Sequence, residues 1–366
     1  MSIVMHGMNR KGEKRCGFWR AAAAMCLLCG IGTSCAAAPV LTEGPLLKFR
    51  ESGKTAFLGL VDPQEHVRAV AAVGDQAPGL PNARQEFCGH YLDLCATYWH
   101  IDREPRAKAF GDLVVAAAGE SMSEDGYIGG ETPERRKLGF SLWNQAHVVY
   151  GLLGFAKATG SGAALRLGVK AADWLFRTQS AMTPAELVNP KTSWNDGSQH
   201  LTAFYSFALA ADATGDERYL DYVGNTLKGL ESTKMNFLSS DGCLDMQSRK
   251  GIEMLNAWRG VLAYAQRRDD PEARTAALRN WRSIADTQIR EPGSSTCAER
   301  FYEGGGRPEL LPITRKPNEN CVQCGWLRFS REMFGATGEP QCMDEMERTL
   351  YNHILGSVSN AGYDFA

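Results

Sequence analysis

The chain has 366 residues, 44% hydrophobic and 22% charged, which is enough apolar material for one large domain or two ordinary ones and too much for a disordered polymer. A formal net charge of −2 and a pI near 6.4 leave no electrostatic footprint for nucleic acid. No stretch approaches the roughly 20 consecutive apolar residues that a membrane span requires.

Residues 1–38 differ in kind from the rest. Arg10, Lys11, Lys14, Arg15 and Arg20 precede the short apolar run AAAAMCLLCGIG, and the small residues TSCAAA follow. A basic start, a short apolar middle and an Ala-x-Ala end predict a secretory signal peptide, hence export to the periplasm or the exterior. Cys35 offers a lipoprotein alternative, although Gly32 is a poor lipobox residue. Without this segment the balance is 35 basic to 41 acidic residues, a net charge of −6. Of eleven cysteines, Cys88, Cys95, Cys243, Cys297, Cys321, Cys324 and Cys342 remain, an odd number, so at least one is a free thiol or a metal ligand.

Residues 39–85 carry Pro39, Gly44, Pro63, Pro78, Gly79 and Pro81, and read as an N-terminal segment with one strand or short helix. From residue 86 the pattern is helical, and a turn recurs after each apolar helix. It falls at Ile101-Asp102-Arg103, Ala158-Thr159-Gly160, Ala213-Thr214-Gly215-Asp216, Arg268-Asp269-Asp270 and Ala336-Thr337-Gly338-Glu339, about 55 to 70 residues apart. A fixed period of that length, with no strand pattern inside it, predicts an all-α toroid of helical hairpins, an (α/α)6 barrel over residues 86–366. The long polar loops at 121–141, 180–200 and 289–320 each precede an apolar helix and put polar groups at helix entrances. The last hairpin runs from Trp326 to Ile354, with breaks predicted at Gly335 and Gly338.

Three constellations carry chemistry. Glu319 and Cys321 sit two residues apart before a helix, and carboxylate and thiolate both ligate zinc; a capping Glu beside a small buried Cys explains the spacing equally. Cys321 and Cys324 also form C-x-x-C, half of a zinc site or a redox pair. His147 lies one helical turn after Trp143, an arrangement that stacks on and hydrogen-bonds a sugar ring, and His200 occupies the same place in its own unit. Glu299, with Glu303 four residues on, is a loop acid near aromatics, suited to act as a general acid or simply solvated.

The segments GHYLDLC (89–95), DGYIGG (125–130), LWNQAHVVYGLLGFAKATG (142–160), GSSTCAERF (293–301), ENC (319–321) and ERTLYNHIL (347–355) occur in an order that resembles glycoside hydrolase family 127, which includes the β-L-arabinofuranosidases. The resemblance implies an (α/α)6 barrel followed by β-sandwich modules and a retaining hydrolysis of arabinofuranosides. It implies a zinc ion held by one Glu and three Cys, one of which is the nucleophile. Zinc keeps that thiol deprotonated, and a separate Glu protonates the leaving oxygen and then activates water. Matched position by position, Glu319 and Cys321 are zinc ligands, Glu299 is the acid/base with Glu303 as its competitor, and His147 and His200 contact the sugar.

Two departures stand out. Near LNAWRG (255–260), where another sugar-binding His is expected, the chain offers Asn256 and Trp258. The remaining ligands of the family form an adjacent Cys-Cys pair, and these 366 residues contain none, nor do they contain the sandwich modules. Cys324 and Cys342 are poorly placed substitutes, both within the helical hairpin. The expectation is therefore a secreted arabinofuranosidase-like barrel with half a zinc site and little turnover. The alternatives are a non-catalytic carbohydrate-binding barrel and an (α/α)6 lyase or unsaturated-uronide hydrolase.

Overall fold

The computed structural model describes residues 43–71, 85–138, 140–193, 195–296, 299–302 and 319–358; the signal-like segment, Cys297 and Glu303 lie outside them. The two N-terminal helices are α1 (Pro45–Leu60) and α2 (Pro63–Val70). Five hairpins follow. They are α3 (Gln85–Asp102) with α4 (Pro105–Glu120), and α5 (Ser141–Thr159) with α6 (Gly162–Ser180). After a one-turn helix, α7 (Pro184–Leu187), come α8 (Ala203–Thr214) with α9 (Arg218–Leu230), and α10 (Gly251–Arg268) with α11 (Pro271–Thr287). The fifth is α12 (Asn320–Thr337) with α13 (Gln341–Arg348). Among the described residues there are no strands, only isolated bridges between Met122 and Ile128 and between Lys250 and Arg300.

The N-terminal segment departs from the expectation of a strand or one short helix. Pro63 opens a helix rather than a turn: proline at the first helical position loses no hydrogen bond, and Asp62 caps the same end through Gln64 N–H at 2.9 Å. Gly44, at φ 95°, is the residue before α1. Gly335 does not break its helix either; α12 runs through it and stops at Gly338, which is left-handed at φ 69°.

The first helix of each hairpin lies inside. Helices α3, α5, α8, α10 and α12 pack in sequence, each against the next, and the second helices cover them. The recurring turn ends α5, α8 and α12 in the same way, while α3 and α10 end on the left-handed Arg103 and Asp269. Thr159 Oγ1 donates to the Phe155 carbonyl at 2.7 Å, Gly160 takes the left-handed conformation at φ 75°, and Ser161 N–H comes back onto Thr159 Oγ1 at 3.3 Å. Thr214 and Thr337 repeat both bonds, to Ala210 and Asp216 and to Met333 and Glu339. The threonine thus satisfies a terminal carbonyl, and the glycine reverses the chain without a Cβ clash. With all the tight turns at one end of the barrel, the long loops and the inner-helix N-termini collect at the other.

Closure uses charge. On α12, Arg328 donates to Asp93 of α3 at 2.8 Å and to Tyr150 Oη of α5 at 3.3 Å, joining the first and last inner helices. One turn on, Glu332 takes a two-pronged grip from Arg259 of α10 at 3.0 and 2.7 Å, and that guanidinium lies 4.2 Å from the Tyr205 ring of α8. Replacing Glu332 by Ala leaves a guanidinium whose side chain is 5% exposed without its carboxylate. Urea denaturation is expected to show a loss of about 3–5 kcal/mol, and the double change Arg259→Met with Glu332→Leu should recover most of it.

Candidate active site

At the loop end, the first turns of the inner helices bring together most of the chemistry read from the sequence. Trp143 and His147 share one face of α5, with ring centroids 4.3 Å apart, and His147 Nδ1 lies 3.0 Å from the Trp143 carbonyl. Trp143 Nε1–H donates to the Glu86 carboxylate at the start of α3. His90, one turn further along α3, meets His147 edge-on at 4.8 Å. That approach depends on glycine: a Cβ on Gly89 would sit 2.0 Å from the His147 carbonyl oxygen, and one on Gly151 would sit 2.5 Å from that of Gly89. The backbones of α3 and α5 therefore touch where the histidines meet. Burial lowers the pKa of His147 to about 4, so at neutral pH it is an uncharged imidazole with one ring nitrogen donating and one accepting.

Below these rings the barrel axis holds a cavity of about 20 Å³, room for one water-sized group, with His147, Thr202, Asn256 and Arg328 in its wall. Thr202 Oγ1 is buried there without a hydrogen-bond partner. Asn256 reaches this cavity from α10, whereas Trp258 points away, buried against Phe237 at 4.7 Å. His200 is placed apart. It is 1% exposed in the one-turn segment Gln199–Thr202 before α8, its carbonyl accepts from Gln179 Nε2 at 2.9 Å, and burial lowers its pKa to about 4. It does not line the cavity.

Glu299 sits in a left-handed turn at φ 68° and is fixed through its backbone and its side chain. Its carbonyl accepts from Gly251 N–H at 2.9 Å, and Phe301 N–H donates to the Arg249 carbonyl at 2.8 Å, so the loop is laced to the start of α10. Its carboxylate takes a hydrogen bond from Lys250 Nζ at 2.6 Å. Upstream, Ser295 is tied to α12 by Gln323 Nε2 at 3.1 Å, and the Gly293 carbonyl by Thr349 Oγ1 at 2.9 Å.

Glu319 is the residue before α12, half-buried, and Cys321 is half-buried one residue inside that helix. Asn320 between them accepts from Ser357 Oγ at 3.4 Å and lies 2.7 Å from His353 Nε2, so the π-helical stretch Thr349–Ile354 of the YNHIL segment braces the pair. Cys324 is buried one turn further in.

The resemblance calls for zinc at Glu319 and Cys321. Among the described residues no three His, Cys, Asp or Glu side chains converge as a metal site. Two donors do not complete a zinc shell of three or four protein ligands.

Two residues at this end escaped the sequence reading. Glu253, in the first turn of α10, is 3% exposed, and burial raises its pKa to about 7 against the pull of Lys250. Lys250 Nζ lies 3.9 Å from it. The signal was the ionisable pair Lys250 and Glu253 just ahead of an apolar helix, which reads as an ordinary solvated helix start. Since the folded state binds the Glu253 proton more tightly than the unfolded chain, stability is highest below the ordinary value of 4.5 and falls as pH rises through about 7. Glu253→Gln is therefore expected to match the wild type near pH 4 and to exceed it above pH 8, by on the order of 2–3 kcal/mol in chemical unfolding.

A sequence profile of the GH127 catalytic domain, described as beta-L-arabinofuranosidase, matches residues 64–366. No curated protein sequence matches. Among solved structures, a GH127 beta-arabinofuranosidase is similar at 18% identity and TM-score 0.62, covering 96% of this chain and 54% of its own. A GH127 beta-L-arabinofuranosidase from Geobacillus stearothermophilus T6 is similar at 16% identity and TM-score 0.57, covering 95% and 52%. A cellobiose 2-epimerase from Bacillus thermoamylovorans shares the barrel at 12% identity and TM-score 0.52, covering 77% and 78%. The chain thus spans about half the length of the arabinofuranosidases it matches.

Proposed function

The chain belongs to the GH127 beta-L-arabinofuranosidase catalytic-domain family, and on that premise we propose that it is exported and takes saccharides ending in a β-L-arabinofuranosyl unit, of plant or glycoprotein type, into the loop end of the barrel. The observation that carries this reading is the tilted Trp143–His147 ring pair at the same end as the Lys250–Glu299 pair. An indole beside a neutral imidazole suits a furanose: the indole offers an apolar face, and with Nδ1–H given to the Trp143 carbonyl at 3.0 Å the imidazole keeps Nε2 to accept from a hydroxyl. Glu299 is the general acid/base, delivering a proton to the departing oxygen and later taking one from water. Its two-sided attachment to α10 supplies the orientation such a group needs. Residues 1–38 act as the export signal.

The second reading is a sugar-binding barrel with little turnover, which would use the same Trp143–His147 pair. Calorimetric titration with methyl β-L-arabinofuranoside is expected to show binding that His147→Ala weakens at least tenfold, since removing a buried hydrogen-bonding partner of a hydroxyl costs roughly 1.5–3 kcal/mol. Hydrolysis of 4-nitrophenyl β-L-arabinofuranoside by the wild type should be abolished in Glu299→Gln, which keeps binding intact. Fast hydrolysis that survives Glu299→Gln sinks the acid/base assignment, and an unsaturated, ultraviolet-absorbing product sinks the hydrolase in favour of a lyase.

A further inference from the structure

We propose that Lys250 is a tethered counter-cation, whose ammonium supplies to the carboxylates at the mouth of this barrel the positive charge that a divalent metal would otherwise provide. The residue is placed for that role by its backbone. It is the position just before α10, extended at φ −67° and ψ 114°, and its bridge to Arg300 sets the Glu299 loop alongside it. From there Nζ reaches Glu299 Oε2 at 2.6 Å and Glu253 Oε1 at 3.9 Å, and only 13% of the side chain is exposed.

Among the described residues, the carboxylates gathered here come from four elements. Glu253 belongs to α10 and Glu299 to the loop before α12, while Glu319 stands at the start of α12 and Glu86 at the start of α3. Burial works against the Lys250 charge, yet Glu253, Glu299 and Glu319 together hold its pKa above the ordinary lysine value. Glu86 and Glu319 both act on Glu253 in the opposite sense, raising its pKa on top of burial. Carboxylates gathered in a partly dry cup repel one another, and a cation among them is the electrostatic remedy. A protein can supply it as a bound metal with three or four converging donors, or as an ammonium carried on its own chain. Among the described residues the first is not assembled, and the second is present at hydrogen-bond distance. The two remedies exclude each other, because a divalent ion entering the cup meets the ammonium at close range in a medium of low dielectric.

Metal occupancy of the cup is independent of sugar binding. The test is a calorimetric titration with zinc chloride, with metal content after dialysis as the second measure, on the wild type, Lys250→Met, Lys250→Gln, Lys250→Arg and Lys250→Met with Glu319→Gln. Circular dichroism checks that each variant is folded, and Lys250→Gln serves where Lys250→Met is not. Zinc is expected to bind the wild type and Lys250→Arg weakly. Lys250→Met or Lys250→Gln should gain a site at least about tenfold tighter, and Glu319→Gln should remove the gain, which places the site in the cup rather than at the buried cysteines. A wild type that retains one zinc through dialysis overturns the proposal, and so does a Lys250→Met variant with no gain over the wild type. Failure of arabinofuranoside to bind the wild type overturns the glycosidase reading and leaves the zinc result untouched.

Discussion

The barrel rests on two crossed ion pairs around its axis, Arg328 with Asp93 and Arg259 with Glu332. Five inner helices have to meet without a sheet to hold their spacing, and each contributes to this layer: Asp93 from α3, Tyr150 from α5, Tyr205 from α8, Arg259 from α10, and Arg328 with Glu332 from α12. Each buried guanidinium of the layer faces a carboxylate, and Arg331 adds a contact to Glu332 at 3.5 Å. An apolar axis of the same volume would cost no desolvation and would also accept any rotation of one helix against the next. Forked guanidinium–carboxylate geometry accepts very few. Buried ion pairs are weak evidence for stability and better evidence for uniqueness of arrangement. Here the arrangement fixed is the one that sets the His90 and His147 rings directly above.

Division of labour between the two ends follows from helix polarity. Inner-helix C-termini need their carbonyls satisfied and the chain reversed at once, which a Thr-Gly turn does in two residues. Inner-helix N-termini present unpaired N–H groups and receive long loops, so acids and sugar-binding groups gather there. The same polarity explains why the carboxylates of Glu86, Glu253 and Glu319 all fall at helix starts.

Much of this was legible in the chain, because it is written in local patterns. The Ala-Thr-Gly spacing gave away the hairpin period, and the Trp143–His147 face follows from helical repeat alone. The pairings that close the barrel are a different matter. Asp93 and Arg328 are 235 positions apart and Arg259 and Glu332 are 73 apart, and nothing local marks any of them as buried. Lys250 and Glu253 escaped notice for the opposite reason, since charged residues at a helix start look ordinary and only the burial of Glu253, 3% exposed, makes it unusual. In the segment 39–85 the prolines misled: a proline that opens a helix and one that interrupts a strand look alike until the cap at Asp62 is seen.

The barrel leaves the reaction open, as its likeness to a cellobiose 2-epimerase shows, so the chemistry has to be argued from the loop end. There the groups divide by charge. His147 and His200 are held neutral by burial, and Asn256, which stands where the family resemblance leads one to expect another histidine, is neutral at every pH. The acids are kept to the rim of the inner helices around Lys250. On the proposed reading, a sugar entering past that rim meets the uncharged His147 and Asn256 beside the Arg328 guanidinium, and proton transfer falls to Glu299, at the edge of the cup and 39% exposed. An exposed acid next to buried hydrogen-bonding groups is the placement a glycosidase needs.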